Sequence, residues 1–190
     1  MIFAHWRARR ANRTLIDQLH GKIVAASRRP ALYIELGVPD SYDGRFEMVT
    51  LYAGLVMRRL NKLSGTGAEL AEALVDSVFR HFEVALREIG VGDVAVPKRL
   101  KRMAEAFYGR QKAYGEGLDA RDSDLLAAAL ARNVYGVADV ALAPAAAGLA
   151  ELARATADAL DQTPLETFAR GEVAFPEMKR SPAQIGAGDG

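Results

Sequence analysis

From Asp43 to Leu60 the sequence reads DGRFEMVTLYAGLVMRRL, with apolar side chains around most of a helix rather than down one face. Phe46, Val49, Ala53, Val56 and Leu60 keep the three-and-four spacing of an α-helix, and Met48, Leu51, Tyr52 and Leu55 fill its flanks. Little polar surface remains before Arg58 and Arg59. A helix of this kind must be covered on several sides, so it predicts the centre of a bundle. Asp43-Gly44 signals a hairpin only between alternating strands, which are missing here, and Asp43 is expected as the N-cap. The chain is therefore expected to be all-α, a single-domain bundle of about six to eight helices around an apolar helix near 44–63.

The remaining segments fit that frame. Leu15, Leu19 and Ile23 predict an amphipathic helix over 12–28, ended by Pro30, and PALYIELG a short one closed by Gly37. Thr66 and Glu69 have the spacing of a capping box before a helix lined by Leu70, Leu74, Val78, Phe82 and Leu86. Gly90 should close it. Further helices are expected over 97–114, over 123–135 and from Pro144 to about 161, with Thr163, Pro164 and Glu166 repeating the cap pattern. The domain spans 12–175. Residues 1–11 read as a basic arm and 176–190, ending GAGDG, as a disordered tail.

Composition narrows the chemistry. The 190 residues include no cysteine, which excludes disulfides, thiolate metal sites and a cysteine nucleophile. No apolar run reaches ~18 residues, so no bilayer-spanning helix is expected. The opening MIFAHWRARRANRT lacks the apolar stretch of a secretory signal and reads as an arm on a bacterial cytosolic protein, although a mitochondrial presequence has a similar composition. His5, His20 and His81 lack metal-ligand spacing, and neither GVGDVAV nor LSGTG sits in a nucleotide-binding context. Asp40 and Asp43 are expected to serve backbone donors around a turn. No catalytic, cofactor or metal residue is assigned, and no enzymatic activity is expected.

Charge carries the strongest signal. Residues 1–29 hold seven Lys/Arg against one Asp, and 116–162 hold eight carboxylates against three Arg. VPKRLKRMAEAFYGR (96–110) places Lys98, Arg99, Lys101 and Arg102 where a helix begins. That end carries the positive pole of the backbone dipole, so each cation there costs roughly 0.3–1 kcal/mol. Arg45 repeats the placement after Gly44. Three partners would reward the cations: the acidic 116–162 region of the same chain, anionic lipid headgroups, or nucleic-acid phosphates. The last is the weakest for a chain of pI near 8, and no direct nucleic-acid binding is expected.

Two segments, LYIELGVPDSYDGRFEMVTLYAGLVMRRL (32–60) and REIGVGDVAVPKRLKRMAEAFYGRQKAY (87–114), together resemble the ubiquinol–cytochrome c chaperone family. ALVDSVFRHFE (73–83) and LARNVYG (130–136) support the likeness, which covers about 32–136. The resemblance implies a non-enzymatic chaperone for assembly of the cytochrome bc1 complex. It also implies binding of newly made cytochrome b or another bc1 subunit, and a small helical partner. The expected location is the bacterial cytoplasm, peripheral to the inner membrane, or the mitochondrion in a eukaryote. The expected client- or membrane-binding surface is Lys98, Arg99, Lys101 and Arg102 with Phe107, Tyr108, Arg110 and Arg45. The alternative is a helical carrier of a lipid or quinone-like molecule, which needs an enclosed apolar pocket between 46–60 and 70–89.

Overall fold

The apolar girdle of residues 46–60 is buried as its spacing demands. A computed structural model describes residues 2–178, with side chains described from Arg13 onward. The described residues form α1 (Ile2–Ser27), α2 (Pro30–Ile34), α3 (Tyr42–Lys62), α4 (Thr66–Glu88), α5 (Val96–Asp119), α6 (Ser123–Val134), a 3-10 turn (Val140–Leu142), α7 (Ala145–Asp161) and α8 (Leu165–Phe168). The fold is all-α. Helix α3 is the axis, with α1, α4, α5, α6 and α7 packed against it. Met48, Ala53, Val56 and Leu60 have no exposed surface. Each large apolar side chain buried in this way contributes about 1.5–3 kcal/mol relative to an exposed one.

Local chemistry sets the helix ends, with three departures from the sequence expectations. Ser41, rather than Asp43, caps α3: its backbone is extended and its hydroxyl accepts from the Gly44 N–H at 3.1 Å. The chain turns this early because Gly44 lies against the Pro39 carbonyl, where any Cβ would collide. At α4 the expected Thr66–Glu69 box gives way to Gly65 (φ +45°) as N-cap. With Ser64 (φ +50°) also left-handed, the reversal from α3 is too tight for Thr66 to lie outside the helix. Thr163 donates to the Ala159 carbonyl and so closes α7 instead of capping α8.

Helix α5 starts at Val96 with Pro97 in its first turn, has no side-chain cap and carries no acidic residue there. It runs to Asp119, five residues past the expected end, and packs along α6. A Cβ on Gly117 would lie 2.9 Å from the Leu126 backbone, so this glycine sets how closely the two helices approach.

The backbone of the expected basic arm continues α1 back to Ile2, while the side chains of 1–12 lie outside the described residues. Beyond α8 an extended strap lies on the bundle. Phe175 meets Tyr52 edge-on at 5.2 Å, and Arg29 donates to the Phe175 and Pro176 carbonyls at 3.0 and 2.6 Å. The rest of the expected tail, 179–190, lies outside the described residues. No described helix is long and apolar enough to cross a membrane.

Candidate docking surface

Helix geometry, at about 100° per residue, spreads Lys98, Arg99, Lys101 and Arg102 over an arc of about 160°. Leu100, Met103 and the fully buried Phe107 turn to the opposite side. All four cations are exposed. Lys101 lies 3.9 Å from Glu105, an exposed pair worth a few tenths of a kcal/mol. Lys98, Arg99 and Arg102 make no ion pair among the described residues. Two carboxylates of the acidic 116–162 region are engaged elsewhere: Asp119 pairs with Arg58, and Asp161 with Arg58 and Lys62, all toward the far end of α3. None of that region pairs with these cations among the described residues.

Beside the cations a cleft of about 570 Å³ opens between the starts of α3 and α5 and the end of α6. Arg99 and Arg102 stand in its wall with the half-buried Tyr42, Met103, Asn133 and Tyr135, and the buried Phe46, Leu86 and Val134 back it. The Tyr42 hydroxyl contacts the Met103 sulfur at 3.6 Å, and the Tyr135 hydroxyl donates to the Leu36 carbonyl at 2.7 Å. Also lining the cleft is a bidentate ion pair. Arg110 Nε and Nη2 reach the two oxygens of buried Glu47 at 2.5 Å each, and the guanidinium lies 5.6 Å over the Phe46 ring. Burial holds the Glu47 carboxyl above its ordinary value, against the two Arg110 bonds that favour its charge. Behind it the Tyr114 hydroxyl is buried, and burial pushes its pKa up.

The residues singled out from sequence therefore divide. Lys98, Arg99, Lys101, Arg102 and Tyr108, the last 55 % exposed, lie on the surface. Phe107 does not: it is 0 % exposed, because its position on α5 points toward Phe79 and the core, and it cannot contact a client directly. Arg45 is exposed but bonded to Asp40 at 2.8 Å, which accounts for its tolerance near the start of α3. Arg110 holds Glu47. Sequence reasoning missed Tyr42, Met103, Asn133 and Tyr135, which converge from three helices and share no local spacing.

A second cleft, of about 390 Å³, lies between α3, α4 and α5, walled by Leu51, Leu55, Val75 and Phe107. Tyr108 stands at this cleft too. Both clefts open to solvent.

Comparison with known proteins gives a consistent result. The family model described as ubiquinol-cytochrome C chaperone matches residues 35–175, well past the 32–136 region of likeness read from sequence. The chain is 27 % identical over 97 residues to ubiquinol-cytochrome-c reductase complex assembly factor 1 of Xenopus laevis, covering 51 % of the chain and 48 % of that relative. It thus spans about half the length of this curated relative. The crystal structure of the Cbp3 homolog from Brucella abortus superposes with a TM-score of 0.83 at 35 % identity, covering 94 % of this chain and 98 % of that one.

Proposed function

Because the chain belongs to the ubiquinol-cytochrome C chaperone family, we propose that it is a non-enzymatic assembly factor of the cytochrome bc1 complex that holds newly made cytochrome b. The receiving face is the start of α5 with the cleft beside it. The observation that carries this assignment is the set of four exposed cations on the first two turns of α5, Lys98 and Arg99 in the first turn at the dipole's positive end. Three of the four are without an ion pair among the described residues. Placing them there costs stability, and a partner with anionic groups offsets that cost. The half-buried Tyr42, Met103 and Tyr135 give the cleft some accessible apolar surface, which suits the hydrophobic segments of a membrane-protein client.

The proposed location is the membrane periphery, in the bacterial cytoplasm or the mitochondrion, with a small helical protein as a further partner. A carrier of lipid or quinone encloses most of its ligand, whereas the two clefts described above are open ones. The test combines Lys98→Glu, Arg99→Glu, Lys101→Glu and Arg102→Glu in one chain. Affinity capture from membranes should then lose cytochrome b, and mature bc1 complex should fall, while the chain keeps its helicity and melts no lower than wild type. Normal assembly by a folded variant would remove the assignment.

A further inference from the structure

The loop from α4 to α5 exposes apolar side chains that neither the core nor the cleft uses. Val94 is 97 % exposed and Ile89 51 %, on a segment turned by Gly90 (φ +84°). Within the next two turns stand the four cations of α5. Of the nearby acids, Glu83 and Asp93 are held by Arg87 at 2.6 and 3.3 Å, while Glu88 is exposed beside Ile89. Between Arg87 and Arg102 the chain has five cations and two carboxylates.

We propose that this loop and the first turns of α5 form a peripheral anchor on an anionic bilayer, Val94 and Ile89 entering the headgroup boundary and Lys98, Arg99, Lys101 and Arg102 meeting lipid phosphates. Insertion of a few apolar side chains combined with a cationic collar is how peripheral proteins hold to anionic membranes. A peptide partner is taken up in a groove, whereas Val94 stands out from the turn with almost its whole surface in solvent. The orientation has a consequence for the client. Arg99 and Arg102 also wall the 570 Å³ cleft, so docking in this way sets the cleft beside the membrane surface, where a polytopic client emerges. The inference rests on the proposed function, in which the basic start of α5 faces outward, and it adds that lipid phosphates supply the anionic groups those cations meet while the client occupies the cleft.

The chain lacks cysteine, so Val94→Cys supplies a single thiol for an environment-sensitive fluorophore. The full chain is mixed with vesicles of phosphatidylcholine alone, or of phosphatidylcholine with phosphatidylglycerol. The probe should shift to the blue, and be quenched by a lipid-borne quencher, on the anionic vesicles only. A probe at Ser123→Cys, beyond the far end of α5, should not respond. In sedimentation without label, Val94→Asp should weaken partition with an unchanged melt, and each cation removed should weaken it about fivefold. No partition of wild type onto anionic vesicles, or partition with an unshifted Val94 probe, overturns the anchor. If the charge-reversed chain fails in bc1 assembly while wild type ignores vesicles, the cations serve a protein contact: the anchor falls and the assembly role stands. If wild type inserts Val94 and the charge-reversed chain still supports assembly, the anchor stands and the proposed client face falls.

Discussion

Arg110 shows why a cation's meaning depends on what reaches it. On α5 it continues the basic series begun at Lys98, yet it is committed to Glu47, 63 positions away in sequence. Removing one partner of a buried pair leaves a desolvated charge, which typically costs about 3–5 kcal/mol. Arg110→Ala should lower stability by about 3 kcal/mol in denaturant unfolding, and Glu47→Gln with Arg110→Met should recover most of it. A similar constraint holds at His20, whose Nδ1 meets the Ser77 hydroxyl at 2.8 Å and whose ring stacks edge-on against His81. Burial, then the charge of His81, lowers the His20 pKa from 6.5 to about 4. The unfolded chain thus takes up this proton before the folded one. The stability involved is complete above pH 6.5 and is lost as the pH falls toward 4. Urea midpoints should decline from about pH 7 to about pH 5, and His20→Gln should flatten that decline.

At the scale of the element, α5 carries a conflict that a freely optimised helix would avoid. Its first turn has cations, no acid and no side-chain cap. Lys98→Glu places a favourable charge at the positive end of the dipole and should raise stability by ~0.3–1 kcal/mol, seen as a higher melting temperature of the whole chain. Under the proposed function the same exchange weakens cytochrome b capture. A lower melting temperature instead would mean that Lys98 has a stabilising role within the fold. The opposite face of α5 has no such conflict: Phe107, Tyr114 and Leu118 are buried. The helix period alone placed the cations and Phe107 on opposite sides, so assigning Phe107 to the docking surface went against that period.

At the scale of the whole molecule, the uneven charge along the sequence is partly neutralised across the fold, but not at α5. The acidic region supplies Asp119 and Asp161 to Arg58 and Lys62, positions 61 to 103 residues apart in sequence. What the sequence by itself determined is the all-α class, the central helix, most helix limits and the family, because apolar period, glycine and proline stops and ordered motifs are properties of neighbouring residues. Only the tertiary structure decided which cations remain without partners and where a cleft opens. Pairing and concavity depend on segments brought together from far apart: Glu47 with Arg110, and Tyr42 with Met103 beside Asn133. Cap choice at Ser41 and Gly65 was decided there too, since the space left by Pro39 and the tightness of a reversal are set by packing, not by the short-range residue pattern.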